Sequence, residues 1–165
     1  MSQSAAIANP APVNLAQDIF AALIEKHDYQ RQLCAALETE SDFAQRQAIF
    51  QRLKLELRAH EAAEERHLYV PVMQHDEGLD LSRHAITEHH EVDELLEVME
   101  DDGVSEEKWE STCITLIEKV RHHLDEEENK FFKQARHILD DELQQRLGTL
   151  YQAEHDAFAK AHADD

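Results

Sequence analysis

A ten-residue pattern occurs twice in this chain, and it limits the fold more than any other feature. His60-Glu61-Ala62-Ala63-Glu64-Glu65-Arg66-His67-Leu68-Tyr69 reads H-x-x-x-E-E-x-x-[LF]-[YF], and His123-Leu124-Asp125-Glu126-Glu127-Glu128-Asn129-Lys130-Phe131-Phe132 reads the same way. Each copy sets a histidine and a glutamate four residues apart, which on a helix places them one turn apart on one face. Two helices that turn such pairs toward each other can hold a pair of metal ions between them. The chain around the repeat suits helices: 165 residues contain only 3 Gly and 3 Pro, and Ala, Leu, Glu, Gln, Lys and Arg dominate.

Apolar residues recur at helical spacing in four long blocks. Helix A is expected over about residues 14 to 37, with Ile19, Phe20, Leu23, Cys34 and Leu37 inward. Helix B starts at Ser41 as N-cap, carries Ile49, Phe50, Leu53, Leu57 and Leu68, and is bent or ended by Pro71. After a turn through Asp76-Glu77-Gly78, helix C begins near Asp80 or Ser82. It carries Leu81, Ala85, Val92, Leu95, Leu96 and Met99 and stops at Gly103. Ser105 caps helix D, which carries Leu116, Ile117, Val120, Leu124, Phe131 and Ile138, with Trp109 in a structural role at its start. Short connections imply an all-α, up-down-up-down four-helix bundle. A short additional C-terminal helix, about 141 to 161, carries Leu143, Leu147, Leu150, Tyr151 and Phe158 and is expected across one end.

Spacing alone does not identify ligands. With so many Glu and His, chance gives about one or two H-x-x-x-E pairs, and five occur, at His60, His84, His90, His122 and His123. Direction separates them. At ~100° per residue, His123 and Glu127 lie roughly 60° and 20° from Val120, inside the apolar stripe of helix D, while His122 and Glu126 face away. His60 and Glu64 take the same angles relative to Leu57. His89 falls roughly 60° from Val92 and His27 roughly 40° from Leu23, whereas His90 lies near 160°. Each bundle helix therefore aims one histidine at the core, and helices B and D each add a glutamate. An unpartnered buried carboxylate costs several kcal/mol, and two glutamates with four histidines satisfy one another most simply around cations. Imidazole and carboxylate without Cys suit iron, manganese or zinc. Glu64 and Glu127 can bridge two ions, leaving roughly one position open on each for a small ligand.

Other features exclude partners. The chain has 16 basic and 36 acidic residues, a net charge of −20, which repels nucleic acid and anionic membranes. No run approaches the ~20 apolar residues of a membrane span. Residues 1 to 13 lack the basic start and apolar stretch of a signal peptide and read as a disordered lead-in to one bundle domain over 14 to 162. Cys34 and Cys113 are too few for a disulfide framework and read as buried free thiols in a reducing compartment. Together these point to the cytoplasm, and to a monomer or small homo-oligomer. Tyr69, Phe131 and Phe132 are expected chiefly as core packing, with walls of the metal pocket as the alternative. His67, His75, His137, His155 and His162 are expected on the surface.

Lys26-His27-Asp28, His60 to Glu65 with Leu68-Tyr69-Val70-Pro71, Glu88-His89-His90-Glu91-Val92, and His123 to Glu128 with Phe131-Phe132 together resemble the hemerythrin-like (HHE cation-binding) proteins, from helix A through the fifth helix. The resemblance implies a four-helix bundle around an oxo- or hydroxo-bridged pair of iron ions, with zinc or manganese as substitutes. Carried over by position, His27, His60 and Glu64 serve one side, His89 and His123 the other, and Glu64 and Glu127 bridge. The chain departs from the oxygen carriers, which place two histidines four apart on the third helix; here Ala85 and Asp93 flank His89 at that spacing. A fifth histidine would have to come from His84, His90 or His122. The departure turns the expectation from oxygen carriage toward sensing, storage or stress defence with oxygen, nitric oxide or peroxide. The rival readings are an enzyme that turns these ligands over, and a metal-stabilised protein-interaction module.

Overall fold

A computed structural model describes residues 17–164, so the expected disordered lead-in, residues 1 to 13, lies outside the described residues. Nine helical segments follow in order: α1 (Ile19–Thr39), α2 (Phe43–Glu64), π1 (Glu65–Tyr69), α3 (Val70–Met73), α4 (Asp76–Glu100), α5 (Glu106–Glu126), π2 (Glu127–Phe131), α6 (Phe132–Ile138) and α7 (Asp141–Ala161). Because π1 joins α2 to α3 and π2 joins α5 to α6 without a break, the first eight segments form four rods. These are the four helices expected from the sequence.

Antiparallel neighbours follow from contacts that run in opposite chain directions. Between the first and second rods Leu37 meets Arg46 and Tyr29 meets Arg52. Between the third and fourth, Glu91 meets Lys119 and His84 meets Glu126. Asp18, Asp42, Ser105 and Asp140 accept the first-turn N–H groups of α1, α2, α5 and α7, satisfying donors that a helix cannot satisfy itself. The cap of α2 is therefore Asp42, one residue beyond the expected Ser41.

Three boundaries differ from expectation for identifiable reasons. Pro71 does not end its rod: it occupies the first turn of α3, where its missing N–H is tolerated because π1 has already shifted the bonding, with Val70 N–H reaching Glu65 O. Asp76-Glu77-Gly78 is the first turn of α4 rather than a loop. Gly78 lets Val72 close in, since a Cβ there would sit 2.3 Å from Val72 Cγ1. At the other end α4 stops at Glu100, with Asp101 extended as its cap, and Gly103 follows in the turn without a left-handed φ.

Apolar side chains fall into two clusters. One holds Tyr29, Leu33, Leu37, Phe50, Leu53, Leu57, Val92, Leu96, Leu116, Val120 and Leu124. The other holds Ile19, Phe20, Leu23, Ala63, Leu68, Tyr69, Ala85, Phe131 and Phe132. Along each rod the sequence passes from one cluster to the other, and His27, His60, His89 and His123 with Glu127 occupy the crossing points. Trp109 is buried against Phe43 and Phe50, the structural role expected of it. Cys34 and Cys113 are both buried and free. Among the described residues no helix is long and apolar enough to cross a membrane.

The last helix differs most. α7 keeps the expected bounds of 141 to 161, but it packs along α1 and α2 rather than across one end. Leu147 and Tyr151 are buried in this interface, whereas Leu150 faces solvent. His155 is buried as well, its Nε2 lying 3.1 Å from both oxygens of Glu56, and His67 is partly buried against Glu154 of the same helix; neither is the surface residue expected. Gly148 makes the closest approach. A Cβ there would stand 2.4 Å from Gln17 O and 2.8 Å from Ile19 N. Gly148→Ala is expected to destabilise the fold by about 1–3 kcal/mol through overpacking, lowering the melting point by roughly 2–4 °C per kcal/mol in a thermal unfolding measurement.

Candidate metal centre

The six residues expected as ligands converge in one buried layer between the apolar clusters. His27, His60, Glu64 and Glu127 present one ligand atom each within 4.8 Å of one another, and Glu64, His89 and His123 form a second such group. Glu64 Oε2 lies 3.2 Å from His60 Nε2 and 3.5 Å from His89 Nε2. Glu127 Oε2 lies 3.4 Å from His27 Nε2 and 3.6 Å from His123 Nε2. Each glutamate thus reaches a histidine on either side.

Every histidine is also held from behind. His27 Nδ1 is 2.8 Å from Glu128 Oε1, His60 Nδ1 2.7 Å from the Tyr151 hydroxyl, His89 Nδ1 2.9 Å from Glu65 Oε1, and His123 Nδ1 2.7 Å from Glu88 Oε2. An Nδ1–H donated to an oxygen leaves Nε2 as the lone-pair nitrogen, which is the tautomer a metal requires. All four Nε2 atoms point into the layer.

There the hydrogen bonding is incomplete. His27 Nε2, His60 Nε2, Glu64 Oε1 and Glu127 Oε2 are buried without hydrogen-bond partners, a cost of about 1–3 kcal/mol per group, more if charged. His89 Nε2 and His123 Nε2 face each other at 3.1 Å, a contact that needs a proton or a cation between two lone pairs. Such a set of inward nitrogens and carboxylate oxygens, with no sulfur, fits hard or borderline divalent and trivalent metals.

Without a metal, protons fill part of this role. Burial pulls the His27 imidazole down, but Glu127 and Glu128 outweigh it and bring its pKa to about 9. Burial likewise opposes His89, which Glu61, Glu64 and Glu65 hold well above the usual imidazole value. Burial depresses His60, with Glu64 opposing. Glu64 stays ionised, well below the usual carboxylate range: burial pushes it up, but His60 and His89 prevail. Behind His89, burial raises Glu61 to about 8.

A tyrosine completes the layer. The Tyr69 hydroxyl donates to Glu127 Oε1 and stands 3.1 Å from Glu64 Oε2 and 3.3 Å from His89 Nε2. It is fully buried, and burial together with Glu127 and Glu64 keeps its pKa well above the usual phenol value. The three histidines considered for a fifth position do not enter: His84, His90 and His122 are 56 %, 73 % and 68 % exposed in their side chains. Phe132, at the place of Tyr69 in the second copy of the repeat, instead stacks on His27 with ring centroids 5.7 Å apart.

Four contributing residues have no site role in the sequence pattern, Glu65, Glu88, Glu128 and Tyr151, while Tyr69, expected as core packing or as a wall of the metal pocket, hydrogen-bonds within the layer. Glu65 and Glu128 were visible as the second glutamate of each E-E repeat, and each supports a histidine from another rod. The hydrogen-bonding role of Tyr69 depends on π1. Tyr151 carried no signal linking its helix to the layer.

Four antiparallel helical rods with an internal layer of four imidazoles and two carboxylates define a cation-binding helical bundle. The chain belongs to the hemerythrin HHE cation-binding domain family, whose model matches residues 18–135. That match ends within α6, short of the fifth helix to which the sequence resemblance was expected to extend. Comparison with curated proteins and with solved structures found no match.

His27 has a folded pKa above its ordinary value of 6.5, so its stabilising contribution to the metal-free protein is complete below about pH 6.5 and is lost as pH rises through about 9. Thermal unfolding in chelator from pH 6 to 10 should show that decline, and proton release on adding Zn²⁺ below pH 9 should be registered by an indicator dye. Glu128→Gln, which weakens the hold on His27 Nδ1, should lower metal affinity about 10–100-fold in competition with a chromophoric chelator.

Proposed function

We propose that the protein holds two iron ions in this layer and binds a small ligand (oxygen, nitric oxide or peroxide) there for sensing, storage or stress defence, with zinc or manganese as substitute metals. The observation that carries the reading is the orientation of the donors. Four histidines from four rods turn Nε2 inward with Nδ1 already engaged, and two glutamates lie between them with unpartnered oxygens. In this reading His27, His60 and Glu64 serve one ion, His89 and His123 the other, and Glu64 and Glu127 span both. The iron pair would supply a redox-active Lewis-acid centre able to take a diatomic or peroxide ligand.

The chain's own groups then have distinct tasks. Glu128, Tyr151, Glu65 and Glu88 fix the imidazole tautomers. Tyr69 places a hydroxyl proton among the donor atoms, beside Glu64, His89 and Glu127. The apolar clusters on either side keep bulk water away, which strengthens the electrostatic interactions inside. We take residues 14 to 162 as the unit that performs this, working in the cytoplasm without nucleic-acid or membrane partners, as a monomer or small homo-oligomer.

The Tyr69 proton also favours a second reading, an enzyme that turns the same ligand over, because proton delivery is what reduction of oxygen or peroxide requires. Metal analysis and absorption spectra decide the first question. The expected result is about two irons per chain, with charge-transfer absorption of a bridged ferric pair that changes on adding nitric oxide or peroxide. Glu127→Ala and His60→Ala should each lose at least one iron. Iron content below about one per chain after loading would sink the proposal. Excess peroxide separates binding from catalysis: one stoichiometric spectral change means binding, sustained consumption means turnover.

A further inference from the structure

Of the five H-x-x-x-E pairs, two build the inner layer, and two of the remaining three converge with each other. His84 and Glu88 lie one turn apart on α4, His122 and Glu126 one turn apart on α5. The two helices are antiparallel, and the pairs face across their shared groove. His84 Nε2 is 3.6 Å from Glu88 Oε1 and 3.3 Å from Glu126 Oε2. His122 Nε2 is 3.6 Å from Glu88 Oε1 and 3.2 Å from Glu126 Oε2. Each imidazole nitrogen therefore reaches both carboxylates. His84, Glu88 and Glu126 bring their ligand atoms within 4.8 Å of one another.

The surroundings distinguish this cluster from a surface mixture of acid and histidine. The two glutamates are largely covered, their side chains 14 % and 20 % exposed, while the histidines stand outside them. The carboxylates thus form a floor, and the imidazoles are free to close over an ion. A cleft of about 20 Å³ opens beside them, lined by His84, Glu88, Glu126 and Lys130 and also by His123 and Glu127 of the inner layer; it has room for roughly one water or small ion. Glu88 belongs to both places, because its Oε2 holds His123 Nδ1 while its Oε1 faces His84 and His122. The third remaining pair, His90 and Glu94, is exposed on both members and has no such neighbour.

We infer that His84, Glu88, His122 and Glu126 form a second, outer site for one divalent transition-metal ion, separate from the inner centre and reached from solvent. Two imidazoles and two carboxylates match the donors that zinc, cobalt, manganese and ferrous iron accept, with coordination positions left for water. Lys130 is the built-in competitor: its ammonium pairs with Glu126 Oε1, and an ion must share that carboxylate with it. This inference does not require the inner centre to hold iron.

Co²⁺ titrated into the metal-loaded protein, followed by its visible absorption and by equilibrium dialysis, tests it. The wild type should take up one more ion per chain than the His84→Ala/His122→Ala double variant, whose two changes lie on exposed side chains. Because the readout is a difference between two proteins, it holds whatever fills the inner layer. Removing both nitrogens should weaken the outer site at least about a hundredfold, each lost ligand being worth no less than the tenfold or more typical of the groups supporting it. Lys130→Gln, which removes the competitor, should bind Co²⁺ more tightly than the wild type. In the wild type itself, the ring protons of His84 and His122 should broaden first on adding Co²⁺ in a proton NMR spectrum, an observation that needs no variant. Equal uptake by the wild type and the double variant, weaker binding by Lys130→Gln, or broadening confined to other histidines would each overturn the inference.

Discussion

The whole bundle is arranged around one electrostatic demand: two carboxylates and four imidazoles buried in a single layer must be neutralised from within. Glu64 and Glu127 are almost completely covered, and an isolated carboxylate at that depth is far too costly to keep ionised. The surrounding donors answer that cost together, since each rod contributes a histidine and no single rod can complete the set. The apolar clusters above and below form the walls that make the layer a low-dielectric space. Metal binding and folding are linked in such a layer because the same groups serve both.

The supports behind the histidines distribute this linkage over the molecule. Glu128 on π2 holds a histidine of α1, Glu65 on π1 holds one of α4, Glu88 on α4 holds one of α5, and Tyr151 on α7 holds one of α2. Every link joins two different elements. The helix beyond the residues that match the family model is therefore part of the same network, fixed to α2 by the His155–Glu56 contact as well. A change in the docking of α7 would reach His60 through a single hydrogen bond.

Much of this was legible in the sequence, for a physical reason. Apolar stripes fix the direction in which a helix faces, so His27, His60, His89 and His123 could be placed inward by angle alone, while His90 and His122 could be placed outward. Helix count and order followed from the same periodicity. The supporting groups were not legible, because a side chain that holds a histidine from another rod is defined by the packing and not by its own helix. Glu88 illustrates this: adjacent to His89 in sequence, it serves His123. Capping was off by one residue at Asp42, where two neighbouring side chains could both accept the first-turn N–H. The course of α7 was not legible because its apolar face says only that it is covered, not by what. Tyr69 could be expected in the core or at the pocket wall but not as a hydrogen-bonding member of the layer, because it lies roughly 120° from Leu57 on a regular α-helix, outside the stripe.

That last miss exposes what the π turns accomplish. Residues 64 and 69 would be roughly 140° apart on an α-helix; a turn bonded i to i+5 advances more slowly per residue and brings them onto nearly one face. π1 thus acts as a one-residue offset in the phase of its rod, placed between Glu64 and everything that follows. The consequence is that the rod has two independent rotational settings. The half before the offset aims His60 and Glu64, and the half after it aims Leu68, Tyr69 and Val72. Straightening π1 into a regular α-helix with every residue kept would set residues 64 and 69 roughly 140° apart, whereas deleting one residue between 66 and 68 would leave them four apart, at roughly 40°, and preserve the alignment. In the straightened rod the glutamate would keep its place while the hydroxyl that touches it swung away. Length, in this arm of the bundle, is read as angle.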